Sequence, residues 1–142
     1  MIKRTAVAVW QGNLKDGNGS LELGSGAFQG QYSFTSRFEE GTGTNPEELI
    51  GAAHAGCFSM ALSGDLTKAG YTVDEIKTEA IVSMEKGEEG FSITRIRLVS
   101  KARVRDIEMS EFAKYASGAK QNCPISRALG AVEIILEAHL LK

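Results

Sequence analysis

Two cysteines, Cys57 and Cys123, are the residues of this 142-residue sequence best suited to chemistry. A disulfide-stapled secreted fold normally has more cysteines, and a zinc site needs ligands grouped more closely than these thiols and the two histidines, His54 and His139. We therefore predict no metal and no cofactor. The thiols are then buried hydrophobic groups, reactive groups or a catalytic pair.

Cys123 has a local feature that favours reactivity. Pro124 suits the first position of a helix, so Cys123 is predicted to be the N-cap, with its sulfur beside unpaired amide groups and the positive end of the helix dipole. A small capping residue without chemistry is the alternative interpretation.

Cys57 lies about three turns into a predicted helix, among apolar neighbours such as Phe58 and Met60. A buried cysteine of this kind is usually inert, and burial raises a thiol pKa. Because an ordinary thiol, with a pKa of about 8.5, is only about 3% ionised at pH 7, reactivity requires a cation nearby. Arg37, set between Phe34 and Phe38 in sequence, is a candidate, although an arginine in such a stretch is usually a solvated strand residue.

The helix that carries Cys57 has a strong start. Asn45 can cap it, Pro46 fits its first position, and Glu48 stands where a capping box places an acidic residue. The following residues are apolar or small on nearly every face, which predicts a central, buried helix, and Gly70 is its natural end.

Strand patterns surround this helix. The order of the segments predicts an α+β fold, with a mostly antiparallel sheet packed on the long buried central helix, in one domain spanning residues 1–142. The predicted strands are 5–10, 20–23, 28–38, 76–85, 91–104 and 132–140, and the further helices are 110–121 and 123–129.

Composition excludes several classes of protein. Sixteen Lys and Arg residues stand against 18 Asp and Glu residues, a formal net charge of −2, which argues against a strong nucleic-acid binder. No apolar run is long enough to cross a membrane, and the N-terminal residues lack the pattern of a signal peptide. We expect a cytoplasmic protein.

Two stretches around the cysteines are highly specific together. GTNPEELIGAAHAGCFSMAL (residues 43–62) and NCPISRAL (122–129) closely resemble the OsmC branch of the OsmC/Ohr family, and VAVWQGN and SFTSRFE extend the resemblance along the chain. The resemblance implies a thiol-dependent peroxidase that reduces organic hydroperoxides and, less well, hydrogen peroxide. It also implies an intertwined homodimer with active sites at the subunit interface. A dithiol reductant, such as a lipoyl group, would return the oxidised cysteines to thiols.

The same resemblance implies the site residues. Cys57 is the peroxidatic thiol, Cys123 resolves it to a disulfide, and Arg37 and Glu47 support the reacting thiolate. Ten residues of straight helix separate Glu47 from Cys57 by about 15 Å. We therefore predict that Arg37 and Glu47 complete the site around Cys57 of the partner subunit.

Other interpretations stay open on the sequence alone. The thiols could report oxidation in a sensor, or an apolar pocket could carry a lipid-like ligand. Cysteine-based hydrolysis would need an imidazole paired with a thiol, and His54, which we expect to pack or hydrogen-bond at the helix surface, is the only nearby candidate. The dipole favours a charged sulfur at Cys123, whereas the resemblance makes Cys57 the attacking residue.

Overall fold

Six strands and four helices make up the chain, and the computed structural model describes all 142 residues. Their contacts form two compact units, Met1–Leu49 and Ile50–Lys142. The prediction of one domain over residues 1–142 stays a prediction. In order, the elements are β1 (Ala6–Gln11), β2 (Asn18–Leu23), β3 (Gln29–Tyr32), α1 (Phe34–Phe38), α2 (Pro46–Lys68), β4 (Val73–Gly87), β5 (Gly90–Val104), α3 (Met109–Asn122), α4 (Pro124–Ala128) and β6 (Glu133–Leu140).

The first unit contains an antiparallel sheet in the order β1-β2-β3. Gly19 of β2 pairs with Trp10 on one side and Tyr32 on the other. A Cβ at Gly19 would lie 2.4 Å from the Tyr32 ring and 2.8 Å from the Trp10 ring. Glycine at this position therefore allows the two rings to approach, with centroids 5.4 Å apart.

The predicted third strand, residues 28–38, is wrong in its second half. The strand ends at Tyr32, and the short helix α1 follows. Ser33 causes the change, because its hydroxyl accepts a hydrogen bond from the Ser36 amide while the Ser36 hydroxyl accepts one from the Ser33 amide. This reciprocal capping box begins a helix where the sequence pattern suggested extended chain.

The predicted start and end of the central helix are confirmed. Asn45 Oδ1 accepts the Glu48 amide at 2.8 Å, and Gly70, with φ of +96°, follows the helix end. The Glu48 carboxylate departs from a full capping box, because it accepts a hydrogen bond from the Thr44 hydroxyl at 2.7 Å.

The second unit contains a sheet in the order β4-β5-β6. β4 and β5 form the predicted antiparallel hairpin, whereas β6 runs parallel to β5 after the crossover through α3 and α4. Parallel pairing requires such a crossover, so the mostly antiparallel prediction holds with one parallel exception. The core of this unit joins one stripe of α2, the inner face of β5 and one face of α3.

Burial of α2 is narrower than its composition predicted. The chain buries one stripe of the helix, and Met60, on another face, is 79% exposed. Small side chains made every face look suitable for a core, although only the stripe toward β5 and α3 carries the large apolar groups. The buried residues of the helix are Gly51, His54, Phe58, Leu62 and Leu66.

None of the helices is both long and apolar enough to cross a membrane.

Candidate active site

The two thiols meet in the second unit. Cys57 lies in α2 and Cys123 joins α3 to α4; both are free cysteines, and the neighbouring Cys123 thiol acts on the pKa of Cys57. Cys57 is half-buried, whereas Cys123 is 1% exposed. The fold therefore brings together two cysteines that are far apart in sequence, with Cys57 the more accessible.

The surroundings of Cys57 oppose its ionisation. Burial raises the pKa of the thiol, and the adjacent Cys123 raises it further, while the hydrogen bond from the Ile125 amide lowers it. The predicted effect of burial on the Cys57 pKa is thus confirmed. A cation from outside these contacts is needed to make Cys57 a thiolate at neutral pH.

Cys123 caps α4 as predicted. Its sulfur accepts a hydrogen bond from the Ser126 amide at 3.3 Å, and Pro124 occupies the start of the helix. The Cys123 thiol also donates to the Ser126 hydroxyl at 3.1 Å. Ser126 therefore contacts this sulfur through both its backbone and its side chain.

His54 is the residue that sequence reasoning placed wrongly. It is fully buried rather than at the helix surface, and its Nε2 lies 2.7 Å from the Ser126 hydroxyl. The available signal was its spacing, because His54, Phe58 and Leu62 follow one another every four residues along one helix stripe. Burial lowers the pKa of His54, which favours the neutral ring.

The His54 contact also bears on cysteine-based hydrolysis. That chemistry needs an imidazole that takes the proton of the attacking thiol directly. His54 Nε2 bonds to a serine hydroxyl instead. Nor do His, Cys, Asp and Glu side chains form any group of three or more that could hold a metal ion.

Arg37 and Glu47 form a two-pronged ion pair in the first unit. Arg37 Nε lies 3.0 Å from Glu47 Oε1, and a terminal guanidinium nitrogen lies 3.1 Å from Oε2. The Arg37 side chain is 38% exposed and that of Glu47 12% exposed. This fork geometry fixes the direction of the guanidinium, which carries a permanent charge.

The capping residues of α1 and α2 position that ion pair. The Ser36 hydroxyl donates to the Thr44 carbonyl at 2.7 Å, and the Asn45 amide group donates to the Ser36 carbonyl at 3.1 Å. These bonds tie α1 to the start of α2, so that Arg37, which follows Ser36, reaches Glu47.

An apolar cavity of about 240 Å³ lies beside Arg37 within the first unit. Phe34 and Phe38, which flank Arg37 in sequence, line it. Phe58, which follows Cys57 in sequence, is fully buried in the core of the second unit. The remaining lining residues are Trp10, Leu14, Tyr32 and Ser33.

The four predicted site residues therefore form two pairs. Cys57 meets Cys123 in the second unit, and Arg37 meets Glu47 in the first. Their union in a single site stays a prediction.

Comparison with known proteins gives a consistent family. Residues 39–137 match the family model described as OsmC-like protein. The chain is 48% identical to Peroxiredoxin OsmC of Escherichia coli (strain K12), over 98% of this chain and 97% of that protein.

Solved structures agree in fold. The crystal structure of the organic hydroperoxide resistance protein OhrB of Bacillus subtilis superposes with a TM-score of 0.74 at 27% identity, covering 94% of this chain and 97% of that one. An OsmC-like protein from Mycoplasma pneumoniae, 15% identical, has the same fold, with a TM-score of 0.79 and 99% of both chains covered. The chain belongs to the OsmC-like protein family.

Proposed function

We propose that this protein is a thiol-dependent peroxidase that reduces organic hydroperoxides to alcohols. The observation that carries the proposal is the contact between two free thiols, one accessible and one buried, brought together from distant parts of the chain. Family membership and the near-full-length similarity to a protein named Peroxiredoxin OsmC support peroxidase activity.

The first chemical step takes place at Cys57. Its thiolate attacks the terminal oxygen of the hydroperoxide, the O–O bond breaks, and the alkoxide leaves and is protonated to the alcohol. Cys57 is then a sulfenic acid. The peroxide is reduced by two electrons, which the sulfur supplies.

The second step protects the oxidised sulfur. The Cys123 sulfur attacks the sulfenic sulfur of Cys57, and the disulfide forms with loss of water, which prevents irreversible oxidation to the sulfinic acid. An external dithiol then reduces the disulfide by two successive thiol–disulfide exchanges, and the dithiol becomes a disulfide itself.

Arg37 supplies the charge that the surroundings of Cys57 lack. Its guanidinium cannot lose a proton, so it can stabilise the thiolate and polarise the O–O bond without acting as an acid. Glu47 holds the guanidinium in one direction. Since α2 continues unbroken through positions 47 and 57, we assign the pair to Cys57 of the partner subunit.

Exposed apolar groups support the homodimer on which that assignment depends. Every residue of β1 is exposed, and the unburied faces of α2 carry small or apolar side chains. Contiguous apolar patches commonly mark an interface, and Val7 and Val9 lie next to each other on one face of β1. The large exposed apolar groups in and near β1, α2 and β4 include Val7 (62%), Val9 (48%), Leu14 (62%), Met60 (79%) and Ile81 (41%).

The cavity beside Arg37 supports an organic substrate. Its aromatic and aliphatic walls suit an alkyl or aryl tail, while the peroxide group would face the guanidinium. Hydrogen peroxide has no tail to place there and gains less binding energy. This explains the expected preference for organic hydroperoxides.

Steady turnover tests the proposal. We expect the protein to consume many equivalents of cumene hydroperoxide when a dithiol such as dihydrolipoamide is supplied. Cys57→Ser should reduce turnover by about 10⁴-fold or more, because it removes the nucleophile. Cys123→Ser should still form one sulfenic acid per chain, detectable by dimedone labelling and mass spectrometry.

Three results would count against the peroxidase. A wild-type protein that is oxidised once and never cycles would be a sensor. Sulfenic acid found on Cys123 in Cys57→Ser, and not on Cys57 in Cys123→Ser, would reverse the two thiol roles. Reversible binding of a fatty acid with no thiol oxidation would favour a lipid-like ligand module.

A further inference from the structure

His54 is a fully buried titratable residue that the peroxidase steps above do not use. Its Nδ1 is buried and has no hydrogen-bond partner. Leaving a buried polar nitrogen unpaired destabilises the folded chain, so an apolar side chain would suit this stripe of α2 better. A histidine here therefore calls for a role at its other nitrogen, Nε2.

A chain of hydrogen bonds runs from that nitrogen to the reacting sulfurs. The Cys123 thiol donates to the Ser126 hydroxyl at 3.1 Å, and this hydroxyl lies 2.7 Å from His54 Nε2. Because the serine oxygen already accepts from the thiol, its own proton is free to point to Nε2. The neutral ring then carries its proton on Nδ1, and each group donates to the next.

Burial makes such a chain necessary. Cys123 is 1% exposed and Ser126 5% exposed, so hydroxide and buffer bases have little access to the thiol proton. Cys123 must nevertheless lose that proton when it bonds to the sulfur of Cys57. An acceptor inside the protein removes the difficulty, and the neutral His54 ring is an acceptor two hydrogen bonds away.

We propose that Ser126 and His54 form a proton relay that accepts the thiol proton of Cys123 as its sulfur attacks Cys57. The proposal rests on the proposed function, since it concerns the resolving step. Ser126 touches the reacting sulfur, whereas His54 acts through Ser126 and is a positioning residue.

The step balances as follows. The S–S bond forms, the S–O bond of the Cys57 sulfenic acid breaks, and hydroxide leaves and takes a proton from water. The Cys123 proton passes to the Ser126 oxygen while the serine proton passes to Nε2 of His54. The imidazolium later releases it to solvent, so the sum is one sulfenic acid and one thiol giving one disulfide and one water.

A chromophoric disulfide can test the relay without any peroxide. Ellman's reagent should react at the accessible Cys57, releasing one thionitrobenzoate and leaving a mixed disulfide. Attack by Cys123 on the Cys57 sulfur then releases a second thionitrobenzoate, which is followed by its absorbance. Cys123→Ser, stopped at the mixed disulfide, should identify Cys57 as the labelled residue by mass spectrometry.

The relay predicts a particular pH profile for the second release. The wild-type rate should change by less than about threefold between pH 6 and pH 8. In Ser126→Ala and His54→Gln it should fall at least about tenfold at pH 6 and rise about tenfold per pH unit, because only the thiolate already present can attack. Ser126→Thr, which keeps the hydroxyl, should restore the wild-type profile.

Ser59→Ala is the matched control. Ser59 is another serine of the second unit, and its hydroxyl lies 2.7 Å from Thr78 Oγ1 rather than beside a thiol. This variant should keep the wild-type rate and pH profile. The rate of the first release, which reports access to Cys57, should be the same in all variants, and circular dichroism checks their folding.

Wild-type profiles in both Ser126→Ala and His54→Gln would overturn the relay. So would a Ser126→Thr variant as slow as Ser126→Ala. If His54→Gln does not fold, the two Ser126 variants decide. A wild type that passes this test but never turns over cumene hydroperoxide would contradict the peroxidase and leave the relay standing.

Discussion

The region around the two thiols and the region around the Arg37–Glu47 ion pair differ in charge and in exposure to solvent. Around Cys57 and Cys123 the polar groups are neutral, mostly buried and joined by hydrogen bonds through Ser126. Arg37 and Glu47 carry full charges and keep partial contact with solvent. The region around the thiols can hold them in position and accept protons, but no cation is among the groups that act on the pKa of Cys57.

In the proposed mechanism the two regions contribute differently to catalysis. Within the second unit, burial helps to hold Cys57 in position, but it also raises the pKa of the thiol and so disfavours the thiolate. Making the thiol mostly ionised at pH 7 requires its pKa to fall by more than about 1.5 units from the ordinary value of about 8.5, which corresponds to more than about 2 kcal/mol. A guanidinium fixed by a carboxylate is suited to supply that energy, because its direction is set before the substrate arrives.

Removing the positive charge of Arg37 should have the largest effect on peroxidase activity. We expect Arg37→Met to lower kcat/KM for cumene hydroperoxide at pH 7 by about 10²–10³-fold, as for loss of a preorganised charge. Since burial already raises the pKa of Cys57, the remaining rate should climb as pH increases above 7. Arg97→Met is the matched control, because Arg97 pairs with Glu137 on the exposed sheet face. An unchanged rate in Arg37→Met would remove Arg37 from the mechanism.

Mixed dimers can sharpen the assignment to the partner subunit. A mixed dimer contains one Cys57→Ser chain and one Arg37→Met chain. Its intact Arg37 and its intact Cys57 are on different chains, so they form a complete site only if each arginine acts on Cys57 of the other subunit. Co-expression in equal amounts should then restore about one quarter of wild-type activity, since half of the dimers are mixed and each has one complete site. Activity no greater than the sum of the two parent variants would place Arg37 and Cys57 of one chain together.

The cavity beside the ion pair should produce a smaller, selective effect. Phe34→Ala removes an aromatic wall next to Arg37. We expect kcat/KM for cumene hydroperoxide to fall about tenfold, corresponding to the loss of one apolar contact of about 1–3 kcal/mol. The value for hydrogen peroxide should change by less than about twofold. An equal loss for both peroxides would show that Phe34 supports the fold of α1 rather than the substrate tail.

Sequence reasoning succeeded where short-range rules act. Asn45, Pro46 and Gly70 set the bounds of α2, and alternation of polar and apolar residues located the long hairpin, because both depend on neighbouring residues. The cap at Cys123 followed from Pro124 in the same way. The parallel pairing of β6 with β5 was not readable locally, since it depends on how α3 and α4 return the chain to the sheet.

The site was predictable only in part. Residue type alone drew attention to the two cysteines, but the roles predicted for Cys57, Cys123, Arg37 and Glu47 came from the family resemblance, since spacing alone cannot show which side chains meet. The hydrogen bond between the Ser126 hydroxyl and His54 Nε2 joins residues far apart in sequence, and no local rule predicts it. Ser126 passed unnoticed because a serine near a helix start is common.

The buried ring of His54 gives the smallest expected effect, on stability rather than activity. Burial lowers its pKa below the ordinary value of 6.5, so the unfolded chain binds a proton that the folded chain refuses. The contribution of neutral His54 to the free energy of unfolding is therefore complete above pH 6.5. It is lost as pH falls below that value, by at most about 1.4 kcal/mol per pH unit.

Urea unfolding of the wild type and of His54→Phe between pH 5 and pH 7.5 tests this expectation. The free energy of unfolding should fall with decreasing pH in the wild type and fall less steeply in the variant. Equal slopes in the wild type and His54→Phe would mean that His54 binds a proton as readily in the folded chain as in the unfolded chain, and its ring would then be open to solvent rather than sealed beside the thiols.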